Sequence, residues 1–139
     1  MTDRRRTDRI VIHCADTPAH MDIGAEEIRA WHRLRGFSDV GYHFVIRRNG
    51  EVERGRPENA VGAHVQGWNS RSVGICLVGG KPEANFTPAQ WESLERLVRD
   101  LQRRYPAAEV AGHRDLNSGK RCPCFDVRVW LDGFPGERT

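Results

Sequence analysis

Three side chains in this sequence could do metal chemistry together. They are His13, which ends the apolar run IVIHC, His113, which ends EVAGH, and Cys122, which precedes a proline in KRCPCFD. All three are zinc-ligand types. Two imidazoles and one thiolate would leave one position of a tetrahedral ion open to water, the arrangement of a catalytic rather than a structural site. The set therefore predicts a hydrolase carrying one Zn2+. Spacing alone does not carry that reading, because the two histidines are remote in sequence and no HExxH motif is present. Placement does: each closes a short apolar strand, and the carboxyl edge of a sheet is where distant positions assemble a site. Of the six histidines, His20 falls in a polar loop and His32 on a helical pattern, so neither shares that placement. Cys122 and Cys124 are equivalent by type. A Cys-x-Cys chelate that seals the coordination sphere stays open beside the single-cysteine reading.

The elements that must position these groups follow from local pattern. Residues 9–14 read as a short buried strand rich in β-branched side chains. Residues 24–35 read as a helix with Ile28, Trp31 and Leu34 or Arg35 on its inner face, acidic residues in the first turn and Gly36 as its stop. Residues 41–48 and 51–54 flank Asn49-Gly50, the pair that favours a two-residue type I′ turn, and predict a hairpin. The stretch 55–72 is polar, glycine-rich and too long to be idle, which predicts a functional loop. It leads into VGICLVGG, a central strand. Thr87, Pro88 and Gln90 spell a capped helix start, followed by an inner stripe of Trp91, Leu94, Leu97, Val98 and Leu101 up to Tyr105-Pro106. A strand around EVAGH and a helix from about Asp126 to Asp132 complete the set. The fold class expected is α/β (mixed α+β): a single domain over 8–133 with a central mixed sheet flanked by helices, a basic and flexible arm over 1–7 and a tail over 134–139.

A chain of 139 residues has room for one core. With 38% apolar and 29% charged residues it has neither a membrane protein's nor a disordered chain's composition. No run approaches the roughly 18–20 apolar residues of a spanning helix, and no apolar h-region follows the basic start, so export by a signal of its own is not expected. The net charge of +3 includes Arg4, Arg5, Arg6 and Arg9 clustered near the start. This reads first as a solvated basic surface and second as attraction to a polyanion. Without aromatic-basic interleaving, specific nucleic-acid recognition is not expected. The four cysteines are too few and too scattered for a disulfide scaffold, so reduced thiols are expected. Cys76 reads as a buried small hydrophobe, and Cys14 points away from the face that His13 uses.

From about residue 8 to residue 130 the chain resembles the type 2 N-acetylmuramoyl-L-alanine amidases. It is most similar to the short single-domain phage lysozyme-type enzymes related to peptidoglycan recognition proteins. The stretches that carry the resemblance are IVIHC, EIRAWHRLRGFSDVGYHFVIRRNGEVERGRP, AVGAHVQGWNSRSVGICLVGG, NFTPAQ and GHRDLNSGKRCPCFD, in the family's order. The resemblance implies an amidase/peptidoglycan-recognition-like fold and zinc ligands at His13, His113 and Cys122, with Cys124 at a place the family does not use for metal. It implies catalytic parts for Tyr42 and for Lys120, which stands two positions before Cys122. Strand alternation lets only one of Tyr42 and His43 face the cleft, and the reading takes Tyr42. The resemblance further implies that His64 contacts the peptide of the substrate while Trp68 and Asn69 shape the groove.

The activity implied is hydrolysis of the amide between the lactyl group of N-acetylmuramic acid and L-alanine in bacterial peptidoglycan. The agent would be a monomeric phage or prophage endolysin, made in the host cytoplasm and released by another protein. Two alternatives stand beside it: a non-catalytic peptidoglycan-binding module of the same fold, and an amidase that also restrains a phage polymerase. The basic lead is the only motive for the second.

Overall fold

The computed structural model describes residues 2–134. Its centre is a five-stranded mixed sheet in the order β4-β3-β5-β1-β7. β1 (Arg9–Cys14) lies in the middle and pairs in parallel with β5 (Ser72–Leu77) on one side and β7 (Glu109–Gly112) on the other. β3 (Phe44–Ile46) is parallel to β5, and β4 (Val52–Arg54) is antiparallel to β3 at the edge. Strands such as IVIHC and SVGICL carry apolar side chains on both faces because both faces are covered, and Ile10, Val11, Ile12, Ile75 and Leu77 are fully buried.

One face of the sheet packs Ile10, Ile12, Ile75 and Leu77 against Leu94, Val98 and Leu101 of α2 (Pro88–Arg104) and Val127 of α4 (Val127–Asp132). The other packs Val45, Cys76 and Val78 against Ala25 and Ile28 of α1 (Ala25–Leu34). The connections leaving β1 and β5 thus run over opposite faces. That divergence between neighbouring parallel strands opens a crevice at their carboxyl ends, where α/β sheets bind ligands. β1, α2 with its Thr87–Gln90 capping box, β7 and α4 follow the sequence expectations closely. A separate two-stranded ladder, β2 (Thr17–Pro18) with β6 (Gly80–Lys81), was not anticipated.

Two local expectations are corrected. The inner face of α1 is Ala25, Ile28 and His32, while Trp31 is 40% and Leu34 87% exposed. The helix is rotated because the His32 ring is drawn under the following segment: its Nδ1 accepts the Gly41 N–H at 2.8 Å, and its ring meets Phe37 and Tyr42. The hairpin turn is also wider than two residues. Gly50 N–H donates to the Arg47 carbonyl and Arg47 N–H to the Glu51 carbonyl, with Gly50 at φ +90° and Asn49 outside the left-handed region. That is a three-residue loop closed by a glycine bulge, in which only the glycine needs positive φ.

The residues expected to form the basic arm are engaged with the loop after β4. Arg4 N–H donates to the Asn59 carbonyl, Val61 N–H donates to the Thr2 carbonyl, and the Arg4 guanidinium donates to the Glu58 carbonyl. Arg6 pairs with Asp8 at 2.9 Å and Arg9 with Glu109 at 3.4 Å. Past Phe134, the expected tail lies outside the described residues. Among the described residues no helix is long and apolar enough to cross a membrane.

Candidate metal centre

His13 is the fifth residue of β1, and its register partner is Cys76 on β5. Alternation turns Ile12 and Cys14 into the α2 face and leaves His13 on the α1 face at the strand's carboxyl end. β7 stops at Gly112, and His113 opens the short helix α3 (His113–Leu116), whose first turn is closed by the Asp115 carboxylate accepting the Gly112 N–H at 2.8 Å. The two rings meet there: His13 Nδ1 and His113 Nδ1 are 3.1 Å apart. Cys122 arrives on the loop after α3, and its carbonyl accepts the Arg114 N–H at 2.9 Å.

Each of His13, His113 and Cys122 offers a donor atom, and the three atoms lie within 4.8 Å of one another. Among the described residues this is the one His/Cys/Asp/Glu group so disposed. Cys124 stays outside it, with its Sγ directed at the Gly80 carbonyl at 3.3 Å, so the chelate alternative has no geometric support.

The donor set suits zinc in kind. Two nitrogens and one sulfur match its borderline-soft preference, and three protein ligands keep one position open. The protein also prepares each donor. Burial holds the His13 pKa well below the usual imidazole range, reinforced by its neighbours His64, His113 and His43; burial and then Lys120 lower that of His113. Both rings are therefore neutral and offer lone pairs at neutral pH. The Cys14 N–H donates to Cys122 Sγ at 3.0 Å, which holds that sulfur beside the two imidazoles. The residue after one ligand thus steadies another.

Two adjoining clefts share Arg35, His113 and Lys120. Tyr42, Cys14 and Cys122 line one of them; His64, Asn69 and Asn117 line the other. The structure therefore brings Tyr42 and Lys120 to the same cleft as His113 and Cys122, with His13 buried beside it. The Tyr42 ring lies 5.0 Å from that of His13, and burial first, then the nearby cysteine thiols, push its phenol well above the ordinary tyrosine pKa. His43 turns away: its Nε2 is 2.7 Å from the Ala60 carbonyl, and its Nδ1 accepts the Gly74 N–H at 2.9 Å.

The three residues implied as groove-forming are placed differently from one another. His64 has both ring nitrogens engaged inside the protein, with Nδ1 2.8 Å from His13 Nε2 and Nε2 3.2 Å from Ser72 Oγ. Asn69 Oδ1 accepts the N–H groups of His64 and Val65 at 2.7 and 2.9 Å and so holds the loop. Trp68 has the guanidiniums of Arg9 and Arg71 over its ring, 4.8 and 3.9 Å from its centre, and lines neither cleft. Ser72 and Arg35 were missed from the sequence. Ser72 looks like any serine before a strand, and Arg35 had been placed against the core rather than over the cleft. A larger groove between α2 and the hairpin contains Arg104, paired with Glu58 and Asp100, but no histidine or cysteine.

Comparison with known proteins agrees with this architecture. The family profile described as N-acetylmuramoyl-L-alanine amidase matches residues 3–125. An endolysin of Klebsiella phage KP32 is 52% identical over 136 residues, spanning 94% of this chain and 89% of that one. The solved N-acetylmuramoyl-L-alanine amidase LysC from Clostridium intestinale superposes with a TM-score of 0.82 at 36% identity, covering 91% of this chain and 84% of its own. Drosophila PGRP-LB shares the fold, with a TM-score of 0.79 at 24% identity over 97% of this chain and 85% of its own. A profile match over nearly the whole domain, and relatives matched along most of their own length, settle the lineage: the chain belongs to the N-acetylmuramoyl-L-alanine amidase family.

Proposed function

We propose that the protein is a zinc-dependent N-acetylmuramoyl-L-alanine amidase. It would cleave the amide between the lactyl group of N-acetylmuramic acid and L-alanine in peptidoglycan, as the endolysin of a phage or prophage. The observation that carries this is the convergence of His13, His113 and Cys122 beside a cleft lined by Tyr42 and Lys120. Those three ligands would hold the ion, which supplies Lewis acidity, polarising the scissile carbonyl and lowering the pKa of a water from about 15.7 towards 7.

The chain's own groups do the rest. Attack on the amide carbon puts negative charge on the carbonyl oxygen, and the cleft meets it with the Tyr42 O–H and the Lys120 ammonium. With its pKa pushed up, Tyr42 keeps its proton and remains a donor throughout the working pH range. One such donor contributes about 3–4 kcal/mol to the transition state. Arg35 and Lys120 give the groove a positive wall facing a stem peptide that carries carboxylates. The proposed route to the wall is synthesis in the host cytoplasm followed by release through another protein.

The test uses purified bacterial walls. Loss of turbidity should stop on chelation, return with added Zn2+ and be absent in Cys122→Ala. Mass spectrometry should find stem peptides with free N-terminal L-alanine. Full lysis by a chelated enzyme, or release of sugars in place of such peptides, would overturn the proposal.

A further inference from the structure

His13 has two ring nitrogens, and only one can serve a metal. Nδ1 is the one turned toward His113 Nδ1, at 3.1 Å. Nε2 points the other way, to His64 Nδ1 at 2.8 Å. From there the contacts continue: His64 Nε2 is 3.2 Å from Ser72 Oγ, and the Ser72 hydroxyl donates to the Trp68 carbonyl at 2.8 Å.

The direction of this chain is fixed from its far end. A carbonyl oxygen can only accept, so the single Ser72 hydroxyl hydrogen is committed to Trp68. Ser72 Oγ must then accept from His64, which places the His64 proton on Nε2. A neutral His64 protonated there has its lone pair on Nδ1 and accepts from His13 Nε2–H. His13 is left with a bare Nδ1, the atom that faces His113.

We propose that His64 and Ser72 form a directed relay, anchored on the Trp68 carbonyl, that fixes the tautomer and orientation of His13 and selects Nδ1 as its ligating atom. The metal part of this inference rests on the zinc reading above. His64 is then a positioning residue rather than a contact for the substrate's peptide, since neither ring nitrogen is left over. The surroundings are built around its ring. Asn69 Oδ1 holds the His64 and Val65 amides, and glycines at 62 and 74 leave room that a Cβ would fill, each hypothetical Cβ lying 2.7 Å from an atom of the ring. Groups that fix a ligand histidine through its second nitrogen typically govern metal affinity.

Two measurements test the relay. Imidazole 15N spectra of the wild-type protein, with and without Zn2+, should show His13 and His64 each protonated on Nε2; a proton on Nδ1 of either ring overturns the proposal. Zn2+ affinity, read by competition with a chromophoric chelator, should fall about 10–100-fold in His64→Leu. It should recover substantially in His64→Asn, whose side-chain oxygen replaces Nδ1 as acceptor, and fall by an intermediate factor in Ser72→Ala. A folded His64→Leu protein with wild-type zinc affinity also overturns it. If His64→Leu does not fold, the wild-type spectra decide. A wild-type protein that binds no zinc overturns the functional reading, whereas the zinc-free spectrum still judges the relay alone.

Discussion

Gly74→Ala adds one methyl group inside β5 and aims it at the histidine relay. A Cβ at this position would lie 2.7 Å from Cγ and Nδ1 of His64 and 2.8 Å from Cδ2, where ordinary contact begins at 3.4 Å. The ring must therefore withdraw by about 0.7 Å, or the strand must shift. A withdrawal of that size along the hydrogen bond would stretch the His64–His13 contact from 2.8 Å to about 3.5 Å, where it ceases to be a useful bond. Zinc affinity should then fall about 10–100-fold, as for loss of the partner itself. Overpacking costs about 1–3 kcal/mol, partly offset by about 0.4–1 kcal/mol because alanine restricts the unfolded chain at a position without positive φ. The net loss of about 1–2 kcal/mol should lower Tm by roughly 3–8 °C. Chelator competition and a thermal melt measure both quantities. Wild-type zinc affinity together with an unchanged Tm would show that the ring is not wedged where the structure puts it.

Tyr42→Phe keeps the ring against His13 and His32 and removes only the hydroxyl. Its kcat should drop about 10²–10³-fold with KM nearly unchanged, and a kcat within about threefold of wild type would remove Tyr42 from the chemistry. Arg35→Gln should raise KM on intact stem peptides and leave kcat almost unaltered; equal KM values would dismiss the positive wall. Acid should destabilise the zinc-free protein. Burial depresses the folded-state pKa of His43 to about 4 from its ordinary 6.5, so below about pH 6.5 the unfolded chain binds a proton that the folded one refuses. Stability is then full above that pH and falls as pH drops, by about 3 kcal/mol from His43 alone near pH 4. Urea titrations across pH 4–7.5 that show no such slope would contradict the buried neutral imidazole.

The elements most legible in the sequence were those whose signals are chemical and local. IVIHC could only be a strand covered on both faces, and Thr87-Pro88-Ala89-Gln90 supplies a cap, a proline without an amide and a reciprocal side chain within four residues. The approach of His13 to His113 was readable because strand ends project side chains predictably. What stayed hidden depends on contacts between distant segments. Periodicity on α1 favoured Trp31, yet the Gly41 amide, nine residues after His32, decided which face turns inward. Asn49-Gly50 fits two hairpin loops, and only one keeps Asn49 out of the left-handed region. The family resemblance implied a substrate contact for His64, and nothing in the sequence says that Ser72 and His13 take up both of its nitrogens.

β1 has a hydrogen-bonded neighbour on each side, and from its last two residues come one imidazole and the amide that steadies the sulfur. His13 and the Cys14 amide thus sit on the most enclosed part of the molecule, while the groove walls over 63–69 and 117–121, and Cys122 after them, hang from connecting segments. On the proposed function, such a division lets the groove vary by loop substitution while the position of His13 stays as fixed as the sheet that carries it.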